Sequence, residues 1–223
     1  MATKAGFDNL HNKVRRCVVR ILSIEKSQTV AITPGTIVSM GANFCYVIAH
    51  SSTFRRDSNA YYEVVFPDTN RTTVGLDISS VATCNDIAAF FIFNAPFYIS
   101  MVYPVQFCEH EASKHQVVYT LGFDQDINYP SYLSDGSVNF VGTTQFIHDC
   151  CPDYFTVFGS PVFDADGYLV GLCSRDRGVL ITYNLESIAE LISIINKREK
   201  QSIGDLLEYI EGQGQAGSQV HWF

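Results

Sequence analysis

The sequence predicts an all-β fold with an amphipathic helix near its C-terminal end. Three observations lead there. Short apolar runs, rich in β-branched and aromatic residues, recur along the chain. Turn residues stand between them. No alternation of strand and helix marks a parallel α/β sheet. The 223 residues, 47% of them apolar, supply a proper core, and β-barrels of this length form single units.

Taken in order, the expected strands are 17–24, 36–48, 61–66, 73–82, 87–93, 103–107, 116–122, 137–144, 153–158, 161–164, 168–173 and 178–183. About a dozen short strands with loop breaks is the pattern of a sandwich or barrel. Asp166-Gly167 is a hairpin turn signal between Val162-Phe163 and Tyr168-Leu169. Helical periodicity is expected only at the end. Leu185, Ile188, Leu191, Ile192 and Ile195 fall on one helical face within 185–198. A second short helix, 203–210, follows, and the polar, glycine-rich remainder of 199–223 reads as a flexible tail ending in Val-His-Trp-Phe.

Fifteen Lys and Arg against 23 Asp and Glu give a formal charge of −8, which argues against a nucleic-acid or anionic-membrane surface. The N-terminal segment lacks the apolar core of a secretory signal. The most apolar stretch, 87–97, is interrupted by Asn94 and Pro96 and is too short to span a bilayer. Seven cysteines, an odd number without framework or zinc-site spacing, point to a reducing intracellular compartment, cytoplasmic or nuclear, and to neither a metal nor a cofactor.

Three segments carry the functional signal. Val47-Ile48-Ala49-His50 is an apolar strand ending in histidine. Asn85-Asp86-Ile87-Ala88-Ala89 is an acid opening a second strand. Phe158-Gly159-Ser160-Pro161-Val162-Phe163 leads into the Asp166-Gly167 hairpin. Each alone fits a structural role; their order is more specific.

In that order the chain resembles the trypsin-like serine proteases, in their Do-like (HtrA/DegP-type) branch, over residues 17–195. Degenerate Do-like sequences common in plants are a narrower likeness. The resemblance implies two six-stranded antiparallel barrels within 1–198, the first to about residue 98, the second from about 99 to 184, closed by the helix at 185–198. His50 matches the general base and Asp86 the carboxylate that orients it. Counting back from Pro161, Ser160 and Gly159 match the motif's second and first glycines, so Phe158 stands at the nucleophile position. Thr156 stands at the glycine that shapes the oxyanion hole, whose donors are the amides of positions 156 and 158.

A phenyl ring has no oxygen to attack a carbonyl and no proton to give up, so no acyl-enzyme forms at Phe158. Losing the nucleophile of a triad costs on the order of 10⁶-fold in turnover. The expectation is a catalytically inactive serine-protease homologue, a pseudoprotease that binds a protein or peptide partner, with Gly159, Ser160 and Arg175 along the possible cleft. The alternative is an active endopeptidase, including one with a relocated nucleophile. Ser160 leaves the chain in another direction from Phe158, and Cys150, Cys151, Thr156 and His148 lie upstream beside the expected site. The remaining His50–Asp86 pair is expected to be a buried hydrogen bond between the two barrels. Oligomeric state is not legible.

Overall fold

A computed structural model of the chain describes residues 4–55, 60–67, 72–93, 102–124, 131–150, 158–176 and 179–218. The fold is that of a chymotrypsin-like double barrel. Its first half is an antiparallel seven-stranded sheet made of β1 (Val18–Glu25), β2 (Gln28–Met40), β3 (Phe44–His50), β4 (Tyr61–Val65), β5 (Thr73–Leu76), β6 (Ala82–Cys84) and β7 (Ile87–Phe93), in the order β5-β4-β1-β2-β3-β7-β6. The second half is a closed six-stranded barrel of β8 (Val117–Gly122), β9 (Tyr132–Val141), β10 (Gln145–His148), β11 (Pro161–Phe163), β12 (Leu169–Asp176) and β13 (Val179–Asn184), in the order β10-β13-β12-β11-β8-β9.

Several expected strands divide, each for a local reason. The run 36–48 is a hairpin: the chain reverses at Gly41, whose N–H donates to Phe44 O at 3.0 Å. The run 73–82 is broken by Asp77, whose carboxylate accepts from the Ser79 amide and hydroxyl and caps the single turn Ile78–Ser80. Residues 103–107 form no strand: Val105 N donates to Ile37 O at 2.8 Å and Phe107 makes an isolated bridge to Leu169. The expected strand 153–158 lies, but for Phe158, outside the described residues.

Helices bracket the barrels. α1 (Lys4–Val14), which the sequence reading did not anticipate, buries only Leu10 and Val14, too few apolar positions to show a period. It lies on the second barrel: Leu10, Lys13 and Val14 close over Gly167 at the β11–β12 turn, and the Phe7 and Tyr119 rings meet edge to face at 6.2 Å. α2 (Leu185–Ile195) begins at Asn184, whose side chain caps the Ser187 amide at 3.0 Å. α3 runs from Ile203 to Ser218, so the glycine-rich stretch continues the helix rather than ending it at 210. Gly214 and Gly217 pack against the rings of Phe44 and Phe93, where a side chain would collide. Contact with those two rings outweighs glycine's poor helix propensity, about 1 kcal/mol per residue. No described helix is long and apolar enough to cross a membrane.

Candidate functional site

Strand register brings His50 and Asp86 together. β3 ends at His50, paired with Ile87 at the start of β7, and the Ser51 amide donates to Asp86 O at 2.8 Å. Asn85 takes a positive φ of 49°, a conformation that asparagine tolerates better than most residues, and so turns the chain into β7 behind Asp86. From the second barrel, Gly159 N donates to Cys173 O at 2.8 Å and Cys173 N to Ser160 O at 2.9 Å. These bonds extend the β11–β12 ladder and set Phe158 and Ser174 beside the histidine.

The centre of the site is a relay rather than a His–Asp pair. His50 Nε2 lies 3.1 Å from Ser174 Oγ, and Ser174 Oγ donates to Asp86 Oδ2 at 2.7 Å. Tyr183 donates its hydroxyl to the same Oδ2 at 3.0 Å. On the other side of the ring, Nδ1 accepts from the Ser52 amide at 3.2 Å, and Ser52 Oγ lies 2.7 Å away. An accepting Nδ1 places the neutral ring's proton on Nε2, donated to Ser174. Both nitrogens are therefore engaged within the protein. The expected direct His50–Asp86 bond is replaced by one through Ser174.

The imidazole is buried, and burial lowers its pKa; the Asp86 charge opposes this without cancelling it. One face of the ring meets Phe158, with centroids 5.3 Å apart and planes tilted by 39°. Phe158 thus occupies space beside the histidine, as its motif position implies. Gly159, with φ of +78°, brings the backbone close to the histidine: a Cβ there would lie 2.8 Å from His50 N and 3.1 Å from His50 Cβ. Only glycine fits so close an approach in this conformation.

The other candidates separate. Ser160 is fully buried and its hydroxyl has no partner among the described residues. Arg175 and Asp176, beyond the expected strand 168–173, lie in β12, paired with Leu180 and Val179; the Arg175 side chain lies outside the described residues. So do Thr156 and Cys151. Cys150 is buried in the barrel, its thiol directed at Val118 O at 3.2 Å and pushed up to about 12 by burial. His148 accepts the Cys150 amide at Nδ1, and its Nε2 lies 3.5 Å from Cys173 Sγ; burial lowers it to about 4. This buried group faces the barrel interior and makes no bond to His50. Among the described residues no cluster of His, Cys, Asp or Glu is arranged to hold a metal ion.

Three members of the relay, Ser52, Ser174 and Tyr183, were not singled out in the sequence. Ser52 follows His50 by two residues, a spacing at which a side chain can bond the backbone locally. Ser174 and Tyr183 reach Asp86 only once β12 and β13 are folded, so no local pattern announces them.

No family model matches the sequence, and no curated protein matches it. Solved structures do. The crystal structure of Deg5 superposes with a TM-score of 0.65 at 15% identity, covering 86% of this chain and 95% of its own. The serine endoprotease from Yersinia pestis gives 0.67 at 12% identity, over 88% of this chain and 68% of its own. The Rv3671c protease in an inactive form gives 0.62 at 13% identity, over 86% of this chain and 96% of its own. The chain thus has the fold of trypsin-like serine proteases of the HtrA/Deg kind.

Proposed function

We propose that this chain is a proteolytically silent Do-like domain, of the degenerate type known from plants, that binds a peptide or protein segment. One observation carries the reading: the histidine at the general-base position has both nitrogens hydrogen-bonded inside the protein and the Phe158 ring against its face. Peptide hydrolysis needs an attacking group and a base nitrogen facing it in the same space. The net charge of −8 supports a protein partner rather than nucleic acid or an anionic membrane. Six described cysteines are free thiols, which supports a reducing, intracellular setting. The test is incubation of the purified chain with casein and a fluorogenic peptide series. No turnover above a His50→Ala control is expected; turnover that His50→Ala abolishes would end this reading.

A second reading rests on Ser52. Its exposed side chain places Oγ 2.7 Å from His50 Nδ1, and the far nitrogen reaches Asp86 through Ser174. This is a serine, a base and a charge relay in series. Against it stands the Ser52 amide, which is turned to Nδ1 and so is not free to serve an oxyanion. A fluorophosphonate probe decides between the two: stoichiometric labelling that Ser52→Ala and His50→Ala both remove would favour the relocated nucleophile.

A further inference from the structure

Away from His50, the surface carries a groove made of two adjoining cavities. The larger, about 480 Å³, lies between residues 108–111, the first turn of α2 and the α2–α3 connection. The smaller, about 330 Å³, continues past residues 107–110 to the β11–β12 turn at Asp164–Tyr168. Both are within the size range of sites that hold a ligand side chain. Cys108, Glu109 and His110 form the wall they share.

Apolar and charged residues line both parts of this groove. Leu185, Ala189 and Ile203 contribute apolar lining to the larger cavity, and Phe107 and Tyr168 to the smaller. The charged lining consists of five carboxylates (Glu109, Glu111, Glu186, Asp164 and Asp166) and one ammonium, Lys200. Two of the five are committed. Glu186 pairs with Lys200 at 2.6 Å, and Asp164 Oδ1 accepts the Asp166 and Tyr168 amides. Glu109 and Glu111 are exposed and have no cation in ion-pairing range among the described residues. Lys200 is itself half exposed, a tethered cation resting on Glu186. Gln201, which also lines the larger cavity, has its amide oxygen buried with no donor among the described residues.

We infer that this groove is the partner site, and that its occupant is an extended, basic segment of another protein with apolar residues between its Lys or Arg side chains. The inference deepens the binding-module reading and rests on it in taking a protein segment as ligand. The apolar residues of the segment fill the cavities. Its cations meet Glu109 and Glu111 and compete with Lys200 for Glu186. The former cleft at His50 takes no part.

Fluorescence anisotropy tests this on the full chain, with a fluorescein-labelled Arg-Leu-Lys-Arg-Leu-Lys peptide and an acidic counterpart with Glu and Asp in place of the cations. The basic peptide is expected to bind saturably, and raising the salt from about 50 to 300 mM should weaken it severalfold. The double variant Glu109→Lys, Glu111→Lys should weaken it at least about tenfold, as two reversed surface charges imply. Lys200→Ala should tighten it, and His50→Ala should leave it unchanged. Both glutamates are exposed, so an unaltered melting temperature separates lost binding from lost fold. Undiminished binding by the double variant, equal binding of the acidic peptide, or no saturable binding would overturn the inference. So would binding of spermine alone, which would mark a site for small polycations. Proteolytic turnover with intact groove binding would instead remove the silent-domain reading and leave the groove standing.

Discussion

His50 Nε2 reaches Ser174 Oγ across the junction of the two halves, at 3.1 Å, and Ser174 passes the contact to Asp86. The bond ties β3 to β12 at a buried point. Ser174→Ala removes the acceptor of the Nε2 proton and one of two donors to Asp86, leaving a buried N–H without a partner. A loss of about 1–3 kcal/mol is expected, read as a lower urea midpoint with an unchanged denaturant slope. Tyr183→Phe should cost less, because its bond to Asp86 is part-buried, whereas Ser174 also holds the buried bond to His50.

Acid should destabilise the fold through its two buried histidines. Burial lowers the pKa of His50 and takes His148 from 6.5 to about 4. A histidine that titrates lower when folded binds protons more readily in the unfolded chain, so its contribution is complete above about pH 7 and is lost as pH falls below 6.5. For His148 the loss continues to about pH 4 and amounts to roughly 3 kcal/mol. Urea midpoints from pH 8 to 4 should be flat and then fall. His148→Leu should flatten the acid limb; an unchanged limb would assign it elsewhere.

A hydroxyl placed at position 158 should not by itself confer proteolysis. Phe158→Ser supplies an oxygen, but the His50 nitrogens remain bonded to Ser52 and Ser174. Neither casein cleavage nor an acyl burst with a p-nitrophenyl ester is expected. The double variant Phe158→Ser, Ser52→Ala removes the hydroxyl contact at Nδ1 but keeps the Ser52 amide bonded there, so it too should show no burst.

Gly159→Ala should destabilise by about 2 kcal/mol or more. The added methyl meets His50 N at 2.8 Å, and φ of +78° is itself costly for alanine. Thermal denaturation measures the loss.

Two glycines of α3 should respond in opposite directions. Nothing lies within 4 Å of a Cβ added at Gly212, so Gly212→Ala should stabilise by about 0.5–1 kcal/mol through helix propensity. At Gly214 the same methyl falls about 2.5 Å from the Phe44 ring, which is 1% exposed. Gly214→Ala should therefore loosen α3 and lower stability despite the same propensity gain.

The sequence made the β architecture legible because strand-forming runs announce themselves locally, as in Ile87–Phe93, and so did the apolar face of Leu185–Ile195. His50, Asp86 and Phe158 were legible because each sits in a short motif, and the structure brings the three together. What escaped was non-local. α1 shows no period because two buried residues suffice for it. α3 beyond residue 210 reads as a loop until Phe44 and Phe93 are in place to receive its glycines. Ser174 meets Asp86 across 88 positions of chain.

The helices also cross over. α1 precedes the first half but packs on the β11–β12 turn of the second, and Lys13 places its ammonium over the Tyr168 ring at 4.9 Å. α3 follows the second half but lies on β2, β3 and β7 of the first, while Asn196 reaches back to the Tyr46 hydroxyl. During synthesis α1 must wait for some 150 further residues before its seat exists, and Phe44 waits still longer for its cover. Each half alone lacks a helix that covers it, so separated halves are expected to be less soluble than the whole chain and to recover the fold on mixing, as read by circular dichroism.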